Sequence, residues 1–230
     1  IIAILIARFL VPEKNNPNYY LDRFGSIYSN CGFIGIPLIY SVLGNEGVFY
    51  LTAYMTMFNL FTWTHGLSLL ENKFSFRQLK EGLLSPMILA TCAALLLFFA
   101  QLRIPAAVLD SMDYIADMNT PLAMMVAGFS VAQADLKKIF GHLHIYWVSF
   151  LKLIAVPLAV TVFLYLLRID HDIAYTTLIA ASCPTATTMT MMSIRYKRNY
   201  TYASEIFAFT TVLSMVTIPF VTFIAGFLIK

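Results

Sequence analysis

Two interrupted apolar stretches, SNCGFIGIPL at Ser29–Leu38 and ASCPTATTMT at Ala181–Thr190, decide the fold of this chain. Each places glycine or proline beside small polar residues near the middle of an otherwise apolar stretch. An unwound segment exposes backbone N–H and C=O groups that hydrocarbon cannot satisfy, so it persists only where it is buried in protein or lines a cavity. Two such interruptions, at matching places in two halves of one chain, indicate the binding site of a secondary transporter.

The composition places the chain among membrane proteins. Hydrophobic residues make up 60% of the sequence and charged residues 12%, and the mean hydropathy is +0.76, well outside the averages of soluble globular proteins. Several stretches have about 18 or more residues with almost no charge, which is long enough to cross a hydrocarbon core of ~30 Å. We predict a partial span at Ile1–Val11 and then full spans near Tyr20–Leu43, Val48–Leu70, Leu83–Ala100, Tyr114–Ala132, Ile145–Leu167, Ile173–Ile194 and Ala203–Ile229.

Basic residues alternate between the loops that join these spans. The odd-numbered loops carry most of the 15 lysines and arginines, whereas the even-numbered loops and the tail carry only Arg103, Arg168 and Lys230. Because cytoplasmic loops are enriched in lysine and arginine, the first loop is predicted to be cytoplasmic and the C-terminus extracytoplasmic. The basic residues of the odd-numbered loops are Arg8, Lys14, Arg23, Lys73, Arg77, Lys80, Lys137, Lys138, Arg195, Lys197 and Arg198.

The two interruptions are predicted to run antiparallel, because they lie five helices apart and an odd number of steps reverses direction across the membrane. A two-fold axis in the membrane plane would bring them together near the midplane. The alternative is that glycine and proline simply kink two ordinary helices. The apolar run before Pro12 has about eleven residues, or ~16 Å of helix, so we also expect a fragment whose N-terminal helices are missing.

Several motifs resemble the auxin efflux carrier family, and they occur in that family's order. Their likeness covers essentially the whole chain. The family's fourth and fifth helices are resembled by N-x-G-F-I-G-x-P at Asn30–Pro37 and by the G-x-x-G turn at Gly44–Gly47 with Asn59. Its seventh and eighth helices are resembled by TPLAMMVAGFSVA at Thr120–Ala132 and by KLIAVP at Lys152–Pro157. Its ninth and tenth helices are resembled by ASCPTATT at Ala181–Thr188 and by T-T-x-L-S-x-x-T-x-P at Thr210–Pro219.

The resemblance implies an all-α integral membrane protein of the cytoplasmic membrane. It implies inverted five-helix repeats with two broken crossover helices, as in bile-acid–sodium symporters and sodium–proton antiporters, with the first two helices missing here. Residues 1–70 would be the remainder of the first repeat, residues 71–82 a cytoplasmic loop, and residues 83–230 the second repeat. The implied substrate is a small organic anion, and the short loop resembles the bacterial malate- and malonate-permease branch. A homodimer is also implied, while H⁺, Na⁺ and the membrane potential stay open as driving forces.

An anionic carboxylate needs hydrogen-bond donors and a favourable electrostatic field. The N-termini of half-helices at the two interruptions would supply partial positive charge and free N–H groups, while asparagine amides and serine or threonine hydroxyls would donate further hydrogen bonds. The alternative for each polar side chain is a helix–helix hydrogen bond, worth ~0.6 kcal/mol on average. The predicted substrate-binding residues are Asn30, Gly32, Gly35, Pro37, Asn59, Pro184, Thr185, Thr187, Thr188 and Ser214.

Lys152 and Glu205 are predicted as coupling or anion-pathway residues. Lys152 lies well inside a span, and ionisable residues within the membrane are functional candidates by default. The alternative role for Lys152 is that of an anchor, in which the aliphatic stem extends so that the ammonium reaches the cytoplasmic interface. Glu205 begins the last span and would either carry a coupling proton or lie at the interface.

No cofactor, metal or nucleic acid is expected as a partner. The three cysteines, Cys31, Cys92 and Cys183, all fall inside predicted spans, so their placement indicates neither a disulfide framework nor a metal cluster. His142 and His144 lie in a basic loop without ligand partners in the sequence around them. The lipid bilayer and the small organic anion are the expected partners.

Two other classes of protein remain as alternatives. Asp110, Asp113 and Asp117 resemble the first aspartate motif of membrane prenyltransferases, in which carboxylates hold Mg²⁺ against a diphosphate. Those enzymes need a second aspartate-rich motif, for which Asp170 and Asp172 are too sparse. Seven full spans also suggest a sensory receptor or a retinal protein, but the last span has no lysine for a Schiff base before its terminal residue.

Overall fold

The computed structural model describes residues 1–14, 16–71, 80, 84, 86–101, 104–132, 134, 139 and 141–228. Over these residues the regular structure is helical, apart from one isolated antiparallel β-bridge between Ser29 and Thr185. Three helical runs in the described part are long and apolar enough to cross a membrane, which agrees with an all-α membrane protein: Cys31–Glu71, Leu143–Leu166 and Tyr200–Gly226.

The described helices are interrupted by short π-helical segments. The α-helices are α1 (Ile2–Leu10), α2 (Tyr19–Ile27), α3 (Ile36–Phe61), α4 (Leu67–Glu71), α5 (Pro86–Phe99), α6 (Ala106–Asp117), α7 (Asn119–Ala132), α8 (Leu143–Phe150), α9 (Val156–Leu166), α10 (His171–Ser182), α11 (Thr188–Arg195) and α12 (Tyr200–Gly226). The π-helical segments are Cys31–Gly35, Thr62–Gly66 and Leu151–Ala155.

Prolines account for two of these π-helical segments. The segment Cys31–Gly35 ends two residues before Pro37, and Leu151–Ala155 ends two residues before Pro157. Proline has no N–H for the carbonyl four residues earlier, and its ring crowds that carbonyl, so the preceding turn widens. Pro37, which the sequence analysis includes in the first interruption, therefore lies within the helical run that follows it.

One predicted span is divided between two helices. The span predicted at Tyr114–Ala132 begins in α6 and continues in α7, and Met118 separates the two helices. A continuous helix would direct the Pro121 ring against the carbonyl of Asp117, four residues earlier, so the chain ends one helix and begins another. Most of the loop predicted at 71–82 and the charges at Lys73, Arg77, Arg103, Lys137, Lys138 and Lys230 lie outside the described residues.

The described residues in or beside the loops predicted to be basic lie at one end of the molecule. There the Trp147 indole donates to the Leu10 carbonyl (2.9 Å) and the Arg198 guanidinium donates to the Leu70 carbonyl (2.6 Å). Acidic residues gather at the other end, where Tyr50 donates to Glu46 (3.1 Å) and lies near the start of α10 with its two aspartates. Where the structure describes these loops, it thus separates the odd-numbered ones from the even-numbered ones, as the charge pattern predicts.

Gly44 breaks the helical run between the second and third predicted elements, Tyr20–Leu43 and Val48–Leu70. Its φ of 64° and ψ of −152° are a conformation that residues with a Cβ rarely adopt. We expect Gly44→Ala to lower the free energy of unfolding by about 1–3 kcal/mol, measured by denaturant titration in detergent. Gly128→Ala in α7 is the matched control, since a Cβ at either glycine has no heavy atom within 4 Å. Equal stability of the two variants would contradict the prediction.

Candidate binding site at the helix crossing

The two interrupted stretches meet and pair with each other. The backbone N–H of Asn30 donates to the Pro184 carbonyl (2.7 Å), and the backbone N–H of Ala186 donates to the Tyr28 carbonyl (2.9 Å). These two hydrogen bonds flank the antiparallel bridge between Ser29 and Thr185. The predictions that the interruptions lie together and run antiparallel are therefore confirmed, and two unrelated kinks do not explain the pairing.

Further backbone groups released at the crossing also have partners. The Thr185 hydroxyl donates to the Gly25 carbonyl (3.0 Å), and the Thr185 amide donates to the Thr210 hydroxyl (3.3 Å). The Ser29 hydroxyl donates to the Ala181 carbonyl in the last turn of α10 (3.3 Å). This pairing explains how an unwound segment is held inside an apolar protein, because unsatisfied backbone groups there cost several kcal/mol each.

Lys152 reaches the crossing from the π-helical segment Leu151–Ala155. Its side chain is fully buried, with 0% exposure. The ammonium donates to the Ser29 hydroxyl and to the Ala181 carbonyl (3.1 Å for the latter). No ion pair joins Lys152 to a carboxylate among the residues that the structure describes. A snorkelling anchor would direct its ammonium to the interface, whereas this ammonium lies on the broken end of α10, where the helix dipole is negative.

A cavity of about 230 Å³ opens beside the crossing. Its volume is below the ~300–1,000 Å³ of pockets that hold drug-sized ligands, so it suits a small molecule. Apolar and polar side chains both line it, and none of the lining residues is charged: Ser29, Asn30, Gly32, Phe33, Met55, Phe58, Asn59, Thr62, Trp63, Ala186, Thr187 and Thr188.

Both half-helix N-termini face this cavity. Asn30 precedes the segment Cys31–Gly35 and Thr187 precedes α11, and the Asn30 side-chain amide donates to the Thr187 hydroxyl (3.1 Å). The first N–H groups of a helix have no intrahelical acceptors, so such an end attracts anions. The Thr188 hydroxyl is buried and has no hydrogen-bond partner among the described residues. A bound ligand would satisfy it.

The structure brings five of the ten predicted substrate-binding residues to the cavity wall: Asn30, Gly32, Asn59, Thr187 and Thr188. Pro184 and Thr185 form the crossing beside it. Gly35 packs against the second interruption, since a Cβ there would lie 3.4 Å from the Cys183 sulfur. Pro37 in α3 and Ser214 in α12, which donates to the Thr211 carbonyl (2.7 Å), are not among the lining residues.

Sequence reasoning missed several contributors to this site. Thr62 and Trp63 line the cavity from the π-helical segment Thr62–Gly66. No pattern in the sequence predicts the widened turn of this segment. Gly25 supplies the carbonyl that holds Thr185, and a Cβ at Gly25 would lie 3.2 Å from Ile206, so the helix α2 needs glycine for its close approach to α12. A small residue within an apolar span, one turn before an interruption, was the available signal.

The fold and the cavity define a helical membrane protein whose polar site lies where two broken helices cross, an arrangement typical of secondary transporters. A family model described as "Membrane transport protein" matches residues 1–81 and 73–222. The chain therefore belongs to this family, that of the auxin efflux carriers, and the resemblance seen in its motifs is confirmed. No curated protein matches the chain significantly.

Family membership makes the chain a membrane transport protein and does not favour the two alternative classes. Asp110 and Asp113 lie exposed on α6 with Asp117 at its end, at a distance in sequence from every residue of the crossing. None of these three aspartates is among the residues that line the cavity at the crossing.

Proposed function

We propose that this protein is a secondary active transporter that carries a small organic anion, such as a mono- or dicarboxylate, across the cytoplasmic membrane by alternating access. One observation carries the proposal. A fully buried lysine lies behind a cavity that has polar and apolar walls without charged side chains, and no described carboxylate pairs with it. A buried cation without a counter-charge is costly, so an anion bound in the cavity would stabilise it.

The geometry of donors supports a carboxylate as that anion. Asn30 uses one amide hydrogen for the Thr187 hydroxyl, which leaves its second hydrogen and the Thr187 proton free to donate. Asn59 and Thr188 offer further donors from the cavity wall. Thr62 donates to the Phe58 carbonyl (2.8 Å) and so contributes shape more than hydrogen bonds. Aromatic rings from Phe33, Phe58 and Trp63 would cover the carbon skeleton of the substrate.

Alternating access needs two groups of helices that move about the crossing. The antiparallel pairing at Ser29 and Thr185 supports two inverted repeats, of which residues 1–70 would belong to the first and residues 83–230 to the second. We propose that the end of the molecule that carries the basic loops is cytoplasmic and that the C-terminus is extracytoplasmic. A homodimer and coupling to H⁺ or Na⁺ remain parts of the proposal that follow from the family resemblance.

Transport by purified protein tests the proposal. The protein, expressed from its complete coding sequence and reconstituted into liposomes, should take up a radiolabelled mono- or dicarboxylate with saturable kinetics that respond to pH or to the membrane potential. Unlabelled carboxylates should compete with this uptake. Selective flux of a neutral sugar or an amine, unaffected by carboxylates, would defeat the anion hypothesis.

Asn30→Ala provides the matched test of the site. It removes an amide donor from the cavity wall, and loss of one hydrogen bond to a charged group should weaken carboxylate binding by about 1.5–3 kcal/mol. Ser111→Ala is the control, since Ser111 is exposed on α6 and bonds only its own helix, through the Ala107 carbonyl, among the described residues. Equal affinities of the two variants, measured by calorimetry, would place the substrate elsewhere.

A further inference from the structure

A buried carboxylate lies at the basic end of the molecule, outside the crossing. Asp22 in α2 is 1% exposed. Its two oxygens accept hydrogen bonds from the Asn16 amide (2.7 Å) and from the Tyr202 hydroxyl (2.7 Å). The His144 ring lies 3.8 Å from the oxygen that Asn16 binds. These four residues come from the turn before α2, from α2, from α8 and from α12, so we call them the Asp22 cluster.

The groups that face Asp22 differ in their access to solvent. Asn16 and Tyr202 are buried neutral donors, and the His142 ring packs edge-on against Tyr202 from the start of α8 (5.8 Å). The adjacent cation, Arg23, is held by Glu13 (2.6 Å). Glu205, one turn beyond Tyr202 in α12, lies near enough to act on the tyrosine. His144, with 57% of its side chain exposed, is the titratable base that links the buried carboxylate to solvent.

The Asp22 cluster is mechanically connected to the binding site. Gly25, one helical turn after Asp22, accepts the hydrogen bond of the Thr185 hydroxyl. Thr210, two turns after Tyr202 in α12, accepts from the Thr185 amide. The hydrogen bond between Asp22 and Tyr202 therefore joins, at the basic end, the same two helices that hold Thr185 at the crossing.

We propose that Asp22 and His144 form the proton-binding site that couples transport to H⁺. His144 takes a proton from the aqueous phase and passes it to Asp22: the Nδ1–H bond breaks, an O–H bond forms on the carboxylate, and the histidine is left neutral and ready to be protonated again by water. Transfer needs the two atoms to approach by about 1 Å, to hydrogen-bond distance.

Proton uptake leaves the hydrogen bonds of the Asp22 cluster in place. The new O–H forms on the oxygen that faces His144, and this oxygen still accepts from Asn16, while the other carboxyl oxygen still accepts from Tyr202. What changes is the charge, and with it the attraction between Asp22 and a protonated His144. This loss of attraction loosens α8 from α2, and α2 carries the Gly25 carbonyl that holds the crossing. The inference rests on the proposed transport function and adds the site of its coupling ion.

Carboxylate flux and proton movement measured together test the inference. Liposomes that contain the protein and a trapped pH-sensitive dye should show proton movement with carboxylate flux in the wild type, measured over a series of external pH values. Asp22→Asn keeps the shape and the hydrogen bond from Asn16, so it should still bind carboxylate but move no protons with it. Its flux should be the same with and without a pH gradient.

Two further variants separate coupling from folding. Tyr202→Phe removes a donor that stabilises the ionised carboxylate, so the pH midpoint of flux should move toward higher pH. His144→Gln should slow proton movement, whereas His171→Gln, at the acidic end, should not. Wild-type proton movement in Asp22→Asn, or an unmoved midpoint in Tyr202→Phe, would overturn the inference. If the wild type carries carboxylate without any dependence on protons, the inference about Asp22 and His144 is wrong but the proposed transport function stands. If the wild type carries no carboxylate, both the inference and the proposed function are wrong.

Discussion

Replacement of Lys152 by methionine is expected to weaken anion binding and transport strongly while leaving the protein folded. A unit charge about 6–8 Å from a carboxylate contributes roughly 2–3 kcal/mol at an effective dielectric constant of ~20, so its loss should weaken anion binding by roughly 30- to 150-fold. Folding should not suffer to the same degree, because replacing a buried charge by an apolar side chain of similar volume is often neutral or stabilising by about 1–4 kcal/mol. The Ala181 carbonyl still accepts from Ser29 in the variant.

The same substitution at Lys80 is the control, because that lysine is exposed and lies away from the crossing in sequence. Calorimetry with the carboxylate found in transport should give the wild-type affinity for Lys80→Met and a weakened one for Lys152→Met. Melting temperatures of both should stay near that of the wild type. Undiminished binding by a folded Lys152→Met would show that the lysine only closes the broken end of α10, and the anion proposal would lose its main support.

The crossing was predictable because the residues that interrupt each helix are neighbours in the sequence. Glycine, proline and small polar residues disrupt an apolar helix wherever they cluster, and each half of the chain has one cluster. That the Asn30 amide would meet the Pro184 carbonyl follows from the antiparallel relation of the two clusters. Pro37 shows the limit of this reasoning. Its missing N–H widens the preceding turn into a π-helical segment, but the chain has already re-entered a helix by then.

The position of the Lys152 side chain could not be derived from its sequence neighbours. An α-helix and a π-helical segment direct the same residue to different faces, and the segment Leu151–Ala155 turns this lysine onto the crossing. Asp22 was missed for a related reason. An aspartate at the start of a predicted span is expected to lie at the membrane interface. Only the tertiary structure brings Tyr202, which is 180 positions away, to the Asp22 carboxylate. Side-chain networks between distant elements leave no local pattern.

Replacement of Pro184 by alanine is expected to stop transport by repairing the helix. Pro184 lacks an N–H, so α10 cannot continue through it. Alanine would restore a donor for the carbonyl of Ala180 and favour a helix that continues from α10 toward α11. A continuous helix would draw the Thr185 amide away from Thr210 and toward the Ala181 carbonyl, which Lys152 and Ser29 now occupy. It would also break the pairing of Asn30 with residue 184 and of Ala186 with Tyr28.

The repaired helix gains backbone hydrogen bonds as it loses the pairing, so the melting temperature of Pro184→Ala should equal or exceed that of the wild type while its flux falls to background. Pro219→Ala is the matched control: this proline lies inside the continuous helix α12, with its side chain exposed, and its replacement should leave transport intact. Pro184→Gly keeps the broken conformation favourable, because glycine costs a helix about 1 kcal/mol relative to alanine, and should retain more flux than Pro184→Ala. If Pro184→Ala transports normally, or if Pro184→Gly and Pro184→Ala fail equally through loss of folding, the broken helix serves the structure alone and substrate binds away from the crossing.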